Sequence, residues 1–242
     1  MRLILSLILS IFVSIVNANP LQIGIPPLIP PFVLSNDGHT SLSGFDVDLM
    51  TEICHRIDME CQFEPLSWED VYASLQNKTI DLSIGDITIT QDREADYLFS
   101  LPYLPSNAQF VVTNSSTIYS VKNLPGKTIG VHHIGIFGPV ILQNFGETVK
   151  LKTYRFINDM ILGLTTGEVD AIILDAAIAQ NLITNTTSLR LLPTKYTVGF
   201  GYAIVTNLGN EELVYKINQA LLHMEADGTY TSIYSNYFFS AP

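Results

Sequence analysis

The chain has 242 residues, 47% of them hydrophobic and 14% charged, which is enough apolar material for a packed core and too little charge for a disordered polymer. Twenty-three acidic against 12 basic residues leave a formal charge of −11, which argues against a nucleic-acid partner, whose phosphates reward clustered Lys and Arg. Two cysteines alone cannot build a four-ligand zinc site or an iron–sulfur cluster, and beyond the N-terminus no apolar run approaches the roughly 18 residues that span a bilayer.

The first segment sets the compartment. MRLILSLILSIFVSIVNA opens with Arg2, runs apolar from Leu3 to Val16, and places Val16 and Ala18 at the outer and inner small-residue positions of a cleavage site. This predicts a secretory signal at 1–18, cut after Ala18; a retained anchor is disfavoured by the short run and the lack of a stop-transfer flank. No cysteine stands at the cut to carry a lipid.

In the exported chain Leu21–Ile25 reads as a strand. From Asp46, taken as part of an acidic cap, Val47, Met50, Ile53, Cys54 and Ile57 recur at helical spacing, and a strand follows near Cys61–Glu64. Ser67 and Asp70 form a capping-box-like start for a helix carrying Val71, Tyr72 and Leu75, and TIDLSI alternates as a strand. A second block opens after Pro125-Gly126 with a strand at Lys127–His132, a helix from about Gly138 and a strand near Leu151–Tyr154. Asn158 is expected to cap a helix carrying Met160, Ile161 and Leu164, with Gly167 at its end and VDAIIL as a buried strand behind it. Strand and helix alternate twice over, so the class is α/β in two lobes.

Cys54 and Cys61, seven residues apart, would join the end of a helix to the next strand. Export favours a local structural disulfide; a redox-active pair is the alternative, although such dithiols usually come as CxxC. Charge is unevenly spread: residues 19–107 carry −11, residues 108–198 carry +2 and residues 199–242 carry −3. A solvated acidic surface explains this, and so does steering of a cation towards a cleft.

Catalytic motifs are scarce. No GxSxG or HExxH occurs, and Gly126-Lys127-Thr128 ends like a phosphate loop but has Val121 where the first glycine is needed. His132 and His133, as strand neighbours, are expected on opposite faces, one towards a cleft, which disfavours joint metal ligation. No metal or cofactor is predicted. Arg93, in TITQDREADYLFS, is a lone cation just past a buried strand; its planar fork suits a carboxylate, although a surface ion pair with Asp92, Glu94 or Asp96 would also satisfy it. Asp175 closes VDAIIL at the strand end where open α/β sheets bind ligands, or serves as a plain helix cap. An Arg and an Asp at strand ends of different lobes could hold the two charges of an α-amino acid.

GFDVDLMTEICHRIDMEC, SWEDVYASLQNKTIDLSIGDITITQDR, LPGKTIGV, TTGEVDAIILD and ALLHMEADGTYTSIYSNYF occur in this order from Leu21 to about Phe238. Together they resemble the periplasmic polar-amino-acid-binding proteins of ABC importers, the group of the histidine- and lysine/arginine/ornithine-binding proteins. The resemblance implies a two-lobed periplasmic-binding-protein fold of the type II flytrap kind, with hinge strands near Asn107–Val111 and Gly199–Tyr202. One lobe would comprise 19–107 and 199–242, the other 108–198. It further implies that Arg93, the hydroxyl and amide of Thr88 and amides near Gly135 and Ile136 bind the ligand α-carboxylate. Asp175 and the Asp86 carbonyl would take the α-ammonium, Trp68 and Ile29 would flank the side chain, and His132 would face the cleft. The partners implied are an L-amino acid and an inner-membrane permease, with the protein a monomer.

Three positions depart from the family pattern. Pro26 stands where the cationic-ligand binders carry an Asp, Gly135 and Ile136 where Ser or Thr is common, and Asp86 where Gly or Ser is common. Asp86 would restore the missing carboxylate and favour arginine or lysine, since an unpaired buried acid is costly. Two rivals use the same fold: a cyclohexadienyl dehydratase acting on prephenate or arogenate, for which no residue marks the required acid, and a sensor ectodomain, which would need a second membrane span and a cytoplasmic module.

Overall fold

The computed structural model describes residues 19–35 and 41–238; the expected signal segment lies outside them. In chain order the first part contains β1 (Leu21–Ile25), the short ladder of β2 (Leu34–Ser35) and β3 (Leu42–Ser43), α1 (Phe45–Arg56), β4 (Cys61–Pro65), α2 (Trp68–Gln76), β5 (Leu82–Ser83), α3 (Gln91–Glu94) and β6 (Tyr97–Phe99). The second contains β7 (Asn107–Thr113), β8 (Thr128–His132), α4 (Phe137–Phe145), β9 (Lys150–Tyr154), α5 (Ile157–Thr165), β10 (Ala171–Asp175), α6 (Ala176–Asn185) and β11 (Leu189–Thr197). The chain then returns through β12 (Val205–Asn207), α7 (Glu211–Asp227) and α8 (Thr229–Phe238).

Two five-stranded sheets result, ordered β4-β1-β5-β12-β6 and β11-β7-β10-β8-β9. Each is parallel where helices connect its strands, as in β4-β1-β5 and β10-β8-β9, and antiparallel where the chain crosses between units, at β12 and β7. Every residue of β10 is buried, as a central strand covered on both faces requires. The crossings lie at 100–106 and 198–204 and touch each other through an isolated bridge between Tyr202 and Leu104, while a second bridge ties Tyr202 to Thr88. Asn107–Val111 is therefore a strand of the second sheet immediately after the first crossing, while Gly199–Tyr202 lies in the second crossing.

The C-terminal helices go back to the first unit. Phe45 sits among the rings of Tyr230, Tyr234, Tyr237 and Phe238, at centroid distances of 6.1, 6.2, 6.2 and 5.0 Å, and Arg56 reaches Asp227 at 2.8 Å. The acidic tail thus joins the acidic lobe. Cys54 and Cys61 form a disulfide with Cα atoms 6.1 Å apart, tying α1 to β4; Cys54 is buried in the core, as befits a structural staple.

Some local expectations are corrected. Asn158 lies inside the first turn of α5, which Phe156 precedes as cap residue in extended conformation without a side-chain bond. In TIDLSI the strand is confined to Leu82–Ser83, although the flanking Asp81 and Ile84 amides also donate to the Gln22 and Gly24 carbonyls of β1 at 2.8 and 3.3 Å. Asp46 does not cap α1: Gly44 does, and Asp46 is turned inward and fully buried.

Candidate functional site

A cavity of about 450 Å³ opens between the two units. From the first, α2 contributes Trp68, Glu69 and Tyr72, the segment after β5 contributes Asp86 and Thr88, and α3 contributes Arg93. From the second come His132 at the end of β8, the turn Ile134–Ile136, Phe137 at the start of α4, Ile157 of α5, and Ile173, Leu174 and Asp175 of β10 with Ile178 of α6. The structure therefore brings together every expected site residue except Ile29. That side chain is 3% exposed; a bridge between Ile29 and Val33 folds its loop tightly, and it lines an adjoining depression of about 260 Å³ that shares Trp68, Glu69 and His132 with the cavity.

One end of the cavity is cationic. Thr90 starts α3 by accepting the Arg93 amide at 3.3 Å, and this turns the guanidinium inward, where Arg93 NH1 donates to the Thr88 carbonyl at 2.8 Å. Its Cζ lies 5.4 Å from the centre of the Tyr72 ring. Among the described residues no ion pair joins Arg93 to Asp92, Glu94 or Asp96, so the surface-pair reading does not hold. Thr88 is 3% exposed and its hydroxyl is shared with Ser106 at 2.9 Å. Opposite, α4 begins without a side-chain cap, which leaves amide donors at its start. The Gly135 amide is not one of them, because it donates to the His132 carbonyl at 3.1 Å in the preceding turn.

The other end is acidic. Asp175 is both of the things its position suggested: its Oδ1 caps α6 by accepting Ala177 N–H at 2.8 Å and Ile178 N–H at 3.2 Å, and it lines the cavity. Burial pushes its pKa up to about 7, against the lowering effect of the cap bonds and of Lys195. Asp86 stands in the left-handed region at φ 55°, a conformation that costs an L-residue about 1 kcal/mol, and its Oδ1 is shielded from solvent with no hydrogen-bond partner. Burial first, then the charges of Asp175 and Asp46, raise its pKa well above the usual carboxylate range, with Arg93 opposing. Behind the wall, Asp46 is completely buried and accepts the Asp86 amide at 3.2 Å; burial lifts its pKa to about 8. Of these three carboxyl groups, Asp86 is the one that Arg93 opposes. At Asp86 a left-handed backbone and a buried carboxylate oxygen without a partner coincide on the cavity lining.

The histidines depart from the expected arrangement. His133 lies one residue beyond β8, so the strand alternation no longer applies, and its ring comes to 5.0 Å from that of His132. His132 Nε2 pairs with the Arg155 carbonyl at 2.8 Å, and burial lowers its pKa, so the ring facing the cavity is neutral near pH 7. His133 Nε2 meets Glu69 at 2.7 Å, and Arg155 NH2 meets the other Glu69 oxygen at 3.1 Å. Both ion pairs that join the two units among the described residues are made by this one carboxylate of α2.

Several site residues were not anticipated. Tyr72 follows Trp68 by four positions and so shares its face of α2, a spacing that could have placed it in the site. Asp46, lying between the buried Phe45 and Val47, carried a signal too: an acid inside an apolar run needs a partner. Phe137, Ile157 and Ile178 carry no such mark, since an apolar residue lining a cavity and one filling a core look alike in sequence.

Two sheet-and-helix lobes enclosing a cavity with opposite charge at its ends define a protein that captures a small zwitterion in a cleft. Residues 21–240 match the model of the bacterial extracellular solute-binding proteins, family 3, and the chain belongs to that family. It is 31% identical over 242 residues to a putative ABC transporter arginine-binding protein 2 of Escherichia coli K12, with 98% of each chain covered. To an L-cystine-binding protein of the same organism it is 29% identical over 220 residues, covering 90% of this chain and 82% of the relative. Among solved structures, an arginine transport system periplasmic binding protein from Legionella pneumophila superposes with a TM-score of 0.86 at 37% identity, covering 90% of this chain and 99% of the other.

Proposed function

We propose that this protein is a periplasmic receptor that captures a cationic L-amino acid, arginine or lysine, between its lobes and presents it to an inner-membrane ABC permease. The lobes comprise 19–107 with 199–242, and 108–198, and they close about the two crossing segments; the receptor acts as a monomer once the signal is cut after Ala18. The arginine-binding relatives agree with the cationic ligand, and the cystine-binding relative agrees with an amino-acid receptor in general.

In the bound state Arg93 pairs with the ligand α-carboxylate, helped by Thr88 and the amides at the start of α4. Asp175 and the Asp86 carbonyl hold the α-ammonium, and Trp68, half-buried at the cavity wall, flanks the aliphatic part of the side chain. The Asp86 carboxylate meets the distal guanidinium or ammonium. The observation that carries the cationic preference is the unpartnered Oδ1 of Asp86 within a cavity whose acids outnumber its cations. Its neighbourhood agrees: a Cβ placed on Gly85 would meet Pro26 Cδ at 2.6 Å, so the Asp86 loop lies against the position where the cationic-ligand binders carry their acid. Binding by this set moves no bond and needs no positioned acid, so the ligand leaves unchanged.

The test is a thermal-shift screen of residues 19–242 against the twenty L-amino acids, ornithine and prephenate. A ligand at about 100 times its Kd stabilises by roughly 2.7 kcal/mol, a readable shift. Shifts with arginine or lysine that vanish in Arg93→Ala support the receptor. A response to prephenate alone refutes it in favour of the dehydratase, and preference for glutamine or an apolar amino acid refutes the role of Asp86.

A further inference from the structure

We infer that Asp46, which does not line the cavity, sets the ligand preference from behind its wall by holding Asp86 in the conformation that aims its carboxylate at a cationic side chain. The inference rests on the reading of Asp86 just given and extends it to a residue that touches no ligand.

The geometry is a clamp. Gly44, at φ 124°, brings the chain so close to Phe32 that a Cβ there would lie 2.8 Å from the Phe32 carbonyl carbon; this tight entry turns the first residues of α1 inward. Asp46 is 0% exposed, and its Oδ2 accepts the amide of Asp86, forty residues away in sequence, at 3.2 Å. That amide belongs to a pair of consecutive residues with positive φ, Gly85 at 135° and Asp86 at 55°, where the β5 ladder has already ended. The bond from Asp46 is thus what ties down the amide at this point. Without it a part-buried N–H would lose its partner, and an L-residue in the left-handed region would be free to relax to ordinary φ, which swings its side chain away from the cavity.

The groups facing Asp46 explain why an acid can do this beside two others. On the cavity side stand Asp86 and Asp175, with Arg93 as the opposing cation; on the far side lies the Tyr103 hydroxyl, which like Asp46 Oδ1 is buried and makes no hydrogen bond of ordinary geometry. Burial and the neighbouring Asp175 both favour the neutral form of Asp46 near pH 7. As a neutral acid it accepts the amide without adding a further negative charge that would compete with Asp86 for the ligand. An asparagine has the same shape and the same acceptor, so it should serve equally well.

The experiment measures Kd for arginine and for glutamine, by titration calorimetry near pH 7, in the exported chain and its variants. Asp46→Ala and Asp46→Leu, checked for native circular dichroism, should lower the arginine-over-glutamine preference by about tenfold or more, the scale of one lost charge-assisted hydrogen bond, beyond any loss the two ligands share through the Asp86 carbonyl. Asp46→Asn should keep the preference within about threefold of the parent. A purely structural acid would lower both affinities together or only the melting temperature. The inference is overturned if a folded Ala or Leu variant keeps the preference, or if Asp46→Asn loses it; the isosteric Asn variant decides the matter should the other two not fold. Asp86→Asn, measured alongside, separates the two levels. If it leaves the preference unchanged, the reading of Asp86 itself fails, whereas if it removes the preference and Asp46→Ala does not, only the clamp fails.

Discussion

Ligand binding should be coupled to proton release, and the size of the coupling follows from the buried acids. In the ligand-free protein Asp175 has a pKa near 7 and Asp86 one well above the ordinary value, both from burial. A ligand ammonium and a distal cation interact with the ionised forms, so binding must first remove whatever protons these groups carry. For Asp175 alone, the fraction available falls from about nine-tenths at pH 8 to about one-tenth at pH 6, which weakens Kd roughly tenfold, or about 1.4 kcal/mol. Asp86, raised in the same direction by burial, adds to the loss. Near pH 7 about half a proton should leave with Asp175. Calorimetry of arginine binding in two buffers of different ionisation enthalpy reads that number directly. A Kd constant within about twofold from pH 6 to 8, with identical heats in both buffers, would show that the carboxylates are ionised before the ligand arrives and would refute the reasoning. The ligand-free fold should respond in the opposite sense. Acids raised in the folded state contribute stability that is full below their unfolded pKa near 4 and is lost as pH rises towards the folded values, by up to about 1.4 kcal/mol per unit for each group. The ligand-free melting temperature should therefore fall from about pH 5 to 8 while arginine affinity rises.

Further outcomes test other parts of the site and fold. Arg93→Ala removes the charged fork for the α-carboxylate and should weaken amino-acid binding by about a hundredfold, roughly 3 kcal/mol, with little change in the ligand-free melting temperature; an unchanged Kd by calorimetry would contradict its role. Arg155→Ala, at a residue outside the cavity lining, removes one of the two side chains that Glu69 meets across the cleft, and should speed ligand release a few-fold in stopped flow without slowing association. Reduction of Cys54–Cys61, or Cys54→Ser with Cys61→Ser, opens a short loop and should cost about 2 kcal/mol in urea unfolding with ligand affinity preserved; loss of affinity at retained fold would instead give the sulfurs a part in the site.

Most of the architecture was legible because it is written in periodicity. The helical spacing of Val47, Met50, Ile53 and Cys54, the apolar run before Asp175 and the glycine after α5 each demand one local structure whatever surrounds them. Where local rules met tertiary packing they failed. Asn158 is an acceptable cap that the chain did not use, and His133, just beyond the end of β8, brings its ring beside that of His132 rather than to an opposite face. The ordered motifs of the resemblance pointed to Arg93, Asp86 and Asp175, and all three line one cavity; Asp175, at a strand end, has a structural reason to be there as well, the cap of α6.

What the sequence determined by itself is the pair of α/β lobes and the chemical inventory of the cleft, one arginine among several acids, because composition and spacing are local properties. What only the tertiary structure decided is which of these charges are buried and what each one touches. The amide of Asp86 reaches Asp46 across forty residues, Arg93 spends one donor on Thr88, and Glu69 meets His133 and Arg155 of the opposite lobe. Hydrogen bonds between distant segments depend on how the lobes are packed, and burial, which sets the protonation of the acids, is a property of the assembled molecule rather than of any stretch of chain.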